Sequence, residues 1–333
     1  MLTSSTMALP AGFGSGGASV AGPSPLEVRL RRGGCVESVH RVHAVVCDQR
    51  GRILMRAGRP DHETFIRSAL KPFQALPLLS SGAAEQFDCG EKGVAIACAS
   101  HAGTPTHARE AFKLLWNADL EVSQLQCPVP SGASSPLEHN CSGKHAAFLA
   151  TCRKMAWPTE SYLQGDHPVQ REVHRRVAEL LGLPAAELVA ARDDCGAPTL
   201  RLQLAQMALL YAHLGASTQA ELEQISRAML AHPELVAGEG RFDTELMQRA
   251  HGQVLSKGGA EGIQCLSRIG EGLGVAIKVE DGSRRAKQAV ALHLLRQLDW
   301  LTPSGLQELE EQVLILNPGV SLEVEGALRF QEG

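Results

Sequence analysis

Aromatic side chains are scarce in this chain, 4% of its 333 residues, although hydrophobic residues together reach 44%. A core of that kind has to be built from Ala, Leu and Val, and the length suits one large domain or two closely joined ones. No run is apolar for long enough to span a bilayer. Positive charge is not in excess either: the net charge is −4, with acids and bases interspersed. That balance excludes the basic face a nucleic-acid partner requires. The nine cysteines include no Cys-x-x-Cys pair, and their count is odd, so they form no evident disulfide framework. Residues 1–25 are rich in Gly, Ser, Ala and Pro and lack the basic n-region and apolar run of a secretory signal. They are expected to be a disordered leader, and the whole pattern points to a reducing, cytoplasmic setting.

What is present centres on Arg67-Ser68-Ala69-Leu70-Lys71-Pro72. Ser68 and Lys71 fall three residues apart in the first turn of an expected helix, so both project from one face. A serine hydroxyl attacks only when something takes its proton, and a lysine can do so only if burial or a nearby cation favours the neutral amine. Pro72 fits a first turn, where its missing N–H has no partner to lose. An exposed serine and a solvated lysine would leave the same tetrad. The rest of the chain shifts the balance, because this is its only Ser-x-x-Lys and Lys257-Gly258-Gly259 is its only Lys-x-Gly.

Taken in order, Val36 to Cys47 and Arg52 to Met55 read as a hairpin. The apolar run Gly93 to Ala99 reads as a buried strand that delivers Ser100 and His101 at its end. A serine capping a helix that starts near Thr106 is the plainer alternative for Ser100. Pro128 to Asn140 is a loop that closes in Glu138-His139-Asn140-Cys141-Ser142-Gly143-Lys144-His145. Two histidines and a cysteine there are metal-competent, but their spacing alone does not specify zinc. From Pro168 to His232 the pattern is helical, with helices over Val169 to Leu181, Thr199 to Leu214 and Thr218 to Ala231, each ended by ordinary terminators. A short strand from Leu188 empties into the polar turn Asp193-Asp194-Cys195-Gly196. Three antiparallel strands follow, Val254 to Lys257, Ile263 to Ser267 and Gly274 to Val279. Helices over Arg284 to Leu298 and near Ser304 to Leu316, then a polar tail, close the chain.

The predicted fold class is α/β of the α+β kind: an antiparallel sheet flanked by helices, in one domain over residues 26–333. The sheet is expected from about 36–57 and 253–280, the helical block from about 105–250. A Ser-x-x-Lys helix facing a Lys-x-Gly strand across a cleft is the arrangement of the serine β-lactamase and penicillin-binding fold.

The ordered set of motifs, Arg67-Ser68-x-x-Lys71-Pro72, Ala99-Ser100-His101-Ala102-Gly103, His139 to His145, Asp194-Cys195-Gly196-Ala197-Pro198 and Lys257 to Gly262, resembles the rhizobial-type L-asparaginase (asparaginase II) family. The similarity runs from about Val36 to Gln297. It implies hydrolysis of L-asparagine to aspartate and ammonia, with Ser68 and Lys71 as one catalytic pair and Ser100 and Lys257 as a second. It implies zinc on Cys141, Lys144 and Cys195, His145 and Asp193 beside the metal or substrate, and a homodimer. His101 and Asn140 lie in the same polar motifs and are further substrate-contact candidates. Arg67 is the candidate for the substrate carboxylate, since a guanidinium engages it bidentately, and Asp193 the candidate for its ammonium. Another serine acyl-enzyme hydrolase (glutaminase, β-lactamase or esterase-like), or a zinc-binding non-catalytic module, are the competing readings.

Overall fold

The computed structural model describes residues 23–331; the expected leader over residues 1–25 falls almost wholly outside them. Its main sheet is antiparallel throughout and joins the two ends of the chain. Strands β1 (Leu26–Arg32), β2 (Cys35–Asp48) and β3 (Ile53–Ala57) come from the start. A smaller sheet holds β4 (Glu63–Phe65), β5 (Val189–Arg192) and β6 (Pro198–Gln203), while β7 (Val254–Gly258), β8 (Ile263–Arg268), β9 (Leu273–Val279), β10 (Val320–Glu325) and β11 (Arg329–Phe330) follow in the C-terminal part. The main order is β10-β1-β2-β9-β8-β7, with β3 pairing β2 and β11. Val45 of β2 faces Ala276 of β9 in register.

Alternate residues of these strands feed two different cores, as the period of two demands. Val42, Ala44 and Val46 with Val275 and Ile277 pack under the Arg284–Gln297 helix. Val45, Cys47 and Ala276 face the helical block. Both faces are covered, which is why the central strands read as near-continuous apolar runs. Gly274 allows the sheet to approach the Leu204–Ala216 helix closely: a Cβ there would lie 1.9 Å from the Ala208 carbonyl oxygen.

The predicted hairpin is β2–β3, and the three C-terminal strands and most helices lie where expected. Four expectations are corrected. Gly93 to Ala97 lies in a helix, Gly90–Ala97, with Cys98 capping it and Ala99 beyond, not in a strand; a short apolar run buried on all sides carries no period to tell the two apart. Thr199 to Gln203 is strand β6, and the helix begins only at Leu204. The polar tail pairs back as β10 and β11 against β1 and β3. Ser100 caps nothing: Thr104 is the N-cap of the Pro105–Asn117 helix.

Candidate active site

The small sheet builds one side of the site. Strand β4 runs into a tight 3-10 turn, Arg67–Leu70, that carries Ser68, and Lys71 opens the short helix Lys71–Gln74. The turn is pinned from three directions: Ile66 N donates to Leu200 O at 3.0 Å, Arg67 N to Thr199 Oγ1 at 3.0 Å, and Tyr211 OH to Ala69 O at 2.8 Å. Arg67 is held at φ 54°, a left-handed conformation costly for a side chain of its size and typical of functional turns. The β5–β6 loop presents Cys195 to the same region. Strand β7 closes the other side, and Gly259 lets its end abut the serine turn: a Cβ there would stand 2.9 Å from Ile66 O.

The two lysines meet on one hydroxyl, and it is not the one the tetrad suggests. Lys71 Nζ donates to Ser100 Oγ at 3.0 Å, Ala99 O at 2.6 Å and Asn140 O at 3.2 Å; it makes no hydrogen bond to Ser68 Oγ. Lys257 Nζ lies 2.8 Å from Ser100 Oγ and 2.8 Å from Gly258 O. Both side chains are sealed from water, 1% and 0% exposed. Burial lowers the Lys71 value against the pull of the Cys141 sulfur. Burial also drops Lys257 to about 7, opposed by Asp243 and reinforced by Lys71 and Lys287. The expected direct Ser68–Lys71 couple is thus replaced by a Lys71–Ser100–Lys257 bridge. Ser68, half-buried, lines the same cavity of about 210 Å³ as Ser100, Asn140 and Lys257, with its hydroxyl unpartnered.

Asp243, absent from the sequence-level candidates, holds this arrangement together. It is buried; Oδ1 accepts from Ser256 Oγ at 2.6 Å and Gln264 Nε2 at 2.8 Å, and Oδ2 from Gly258 N at 2.8 Å. Burial raises its value, but the Lys257 charge and these hydrogen bonds outweigh it and keep the carboxylate ionised. No motif marks it; one acid near a helix start carries no signal until its neighbours are known.

The other candidates separate. Arg67 contacts Asp193 at 2.8 Å and Asp194 at 2.7 Å, so the pair assigned to opposite ends of a substrate bind each other instead. His101 is engaged at both nitrogens, with Ser142 Oγ at 2.9 Å and Gly103 N at 3.1 Å, and has no atom free for substrate. His145 is fully buried, its Nδ1 2.7 Å from Tyr162 OH and its Nε2 without a partner among the described residues, and it does not line the cavity.

Cys141, Lys144 and Cys195 do converge in a buried pocket. Lys144 Nζ reaches Cys195 Sγ at 3.1 Å. The neighbouring Cys195 sulfur lowers Cys141 well below an ordinary thiol against the effect of burial, helped by Lys71 and Lys144. Burial opposes the Lys144 charge, but the sulfurs raise its value overall. Among the described residues no three His, Cys, Asp or Glu side chains are grouped for a metal; two sulfurs and an amine are nonetheless a donor set a thiophilic cation accepts.

Two hydroxyls and two buried amines thus stand at or beside a small polar cavity in a mixed α/β chain. A family model for L-asparaginase II matches residues 28–330, and the chain belongs to that family, as an L-asparaginase-like amidohydrolase. No curated protein matches it by sequence. Among solved structures, crystal forms of Mglu are similar at 14% identity and TM-score 0.39, covering 78% of this chain and 67% of theirs. Mglu in its native form in 4.3 M NaCl gives 15% and 0.40 over 78% and 61%. The chain therefore spans about two thirds or less of these neighbours. No helix among the described residues is long and apolar enough to cross a membrane.

Proposed function

We propose that the chain hydrolyses L-asparagine to L-aspartate and ammonia through an acyl-enzyme on Ser68. The observation that carries this reading is Ser100 Oγ held between two buried lysines in the cavity that Ser68 lines. A hydroxyl bracketed by two nitrogens is a proton relay; the free one beside it is the nucleophile. Lys71 has three acceptors for three ammonium hydrogens and serves as the fixed cation. Lys257, near 7, is neutral often enough at neutral pH to be the base. On substrate binding Ser68 closes onto the relay, since catalytic hydrogen bonds commonly tighten only in the complex. Its proton passes through Ser100 to Lys257 as Oγ attacks the carboxamide carbon. The same proton then returns to the amide nitrogen, the C–N bond breaks, and ammonia leaves. Water, activated by the same relay, hydrolyses the ester and frees aspartate. Lys71 holds the negative charge that develops on the relay.

Cys141, Lys144 and Cys195 would hold a zinc ion, with Lys144 giving up its proton to do so. Bound there, zinc would supply Lewis acidity and positive charge beside the cavity. The serine β-lactamase-like architecture and a homodimer belong to the same proposal; β7 at the sheet edge facing the Ser68 turn supports the first.

The test is ammonia release over L-asparagine, L-glutamine and other small amides by the parent, Ser68→Ala and Ser100→Ala, with intact mass followed for an aspartyl adduct. Loss of ~10³-fold or more in both variants, and of the adduct in Ser68→Ala, is expected. A parent inert to every carboxamide, or a Ser68→Ala protein as active as the parent, refutes the reading.

A further inference from the structure

The cavity beyond Ser100 is lined by several basic side chains that share a single buried carboxylate, Asp243, among the residues of its wall. Arg241 caps the Phe242–Arg249 helix, and Arg284 and Lys287 occupy the first turn of the Arg284–Gln297 helix. With Lys257 they face the cavity that also holds Ser68 and Ser100. The one carboxylate in its wall, Asp243, has both oxygens engaged by Ser256, Gln264 and Gly258. Among the described residues Arg241, Arg284 and Lys287 form no close ion pair, although Asp243 acts on Lys287 and Arg241 through space. Arg241 Nη1 donates only to the Ser100 carbonyl, at 3.3 Å, and Lys287 Nζ to the Gly259 carbonyl, at 3.2 Å. The Arg284 guanidinium makes no hydrogen bond to any described residue. Burial, and then the charge of Arg284, lowers Arg241, while Asp243 pulls it back up.

Arg241 and Arg284 are exposed and screened by water, so they cost the fold little while adding positive charge at the mouth of the cavity. The first turn of a helix carries the positive end of its dipole, and anions belong there; here Arg284, Arg285 and Lys287 occupy it with no acid. Departures from local rules concentrate at functional sites, and this one faces the cavity that Ser68 and Ser100 line. Arg67, by contrast, is already saturated by Asp193 and Asp194, so a carboxylate reaching it must displace two existing partners.

We propose that Arg241 and Arg284 at the cavity rim bind the carboxylate of the substrate, making this chain selective for amides that carry a carboxylate at their other end. Lys287 deepens the attraction from below. The inference rests on the hydrolase reading of the cavity, and it assigns to these two arginines the role the sequence motif suggests for Arg67. With the acid end fixed at the rim, the carboxamide end is directed at Ser68. A neutral diamide gains nothing from the rim.

The test compares the parent with Arg284→Ala, Arg284→Lys and Arg241→Ala, in steady-state turnover of L-asparagine and in calorimetric titration with succinate at fixed ionic strength. Losing one guanidinium fork is expected to raise KM by ~10–100-fold with kcat changed far less, and to weaken succinate to the same degree. Arg284→Lys keeps the charge without the fork and should fall between Arg284→Ala and the parent. Arg284 is exposed, so its variants should retain the parent melting temperature. Unchanged KM and unchanged succinate affinity in folded Arg284→Ala overturn the proposal. A parent that binds succinate through the arginines but releases no ammonia sinks the hydrolase reading and leaves the carboxylate site standing. A parent that hydrolyses asparagine but neither binds succinate nor responds to the variants does the reverse.

Discussion

Asp243→Asn isolates the electrostatics of the relay. Lys257 titrates near 7 because burial pushes it far down and Asp243 holds it partway up. If Lys257 is the base, kcat/KM of the parent rises with pH through about 7 as the lysine loses its proton. Removing the Asp243 charge removes the upward pull, so the limb must move to lower pH. Two charges a few ångströms apart in a partly screened interior interact by ~1–3 kcal/mol, and ~1.4 kcal/mol corresponds to one pH unit. The limb is therefore expected to shift down by about one to two units. The asparagine amide cannot accept from Ser256, Gln264 and Gly258 together, so a loss of ~1–3 kcal/mol in stability accompanies the shift. The assay is kcat/KM for L-asparagine from pH 5 to 9, with circular dichroism at each pH to confirm the fold. A limb that stays in place or moves upward in folded Asp243→Asn refutes Lys257 as the titrating base.

Lys257→Met should abolish turnover yet stabilise the protein. The folded-state value lies below the ordinary lysine value of 10.5, so the unfolded chain holds more protons between about 7 and 10.5, and the penalty is full below 7 and fades toward 10.5. A gain of ~2 kcal/mol at pH 6 that shrinks by pH 10 in urea unfolding is the expected result; equal gains at both pH values contradict it. Gly259→Ala drives a methyl against the Ile66 carbonyl and should cost ~1–3 kcal/mol while lowering kcat by more than that instability accounts for, since the serine turn moves with Ile66; melting and turnover measured together decide. For the metal, protein prepared with zinc should hold about one ion per chain, lost in Cys141→Ser and Cys195→Ser. Chelation with activity and melting followed in parallel should lower activity before stability, and stoichiometric zinc retained in the double variant excludes this set of ligands.

Much was legible from local chemistry. The β2–β3 hairpin around Asp48-Gln49-Arg50-Gly51, the three strands from Val254 onward and the Pro168–Leu181 helix ending at Gly182 follow from turn residues, alternation and caps, which act over a few residues. Ser68 with Lys71 and the Lys257-Gly258-Gly259 stretch could be picked out by spacing, whereas pairing Ser100 with Lys257, and grouping Cys141, Lys144 and Cys195, came only from the resemblance. What local chemistry does not contain is partner choice. Gly93 to Ala97 is helical although, buried on every side, it carries no period to show it, and β1 found β10 from nearly 300 residues away along the chain. Whether a lysine three residues from a serine bonds it or turns to Ser100, and whether Arg67 awaits a substrate or closes on Asp193, depends on which acceptors the packed chain brings within about 3 Å. Sequence order determined which groups were available; desolvation and long-range packing, properties of the folded whole, decided which of them carry charge and which touch.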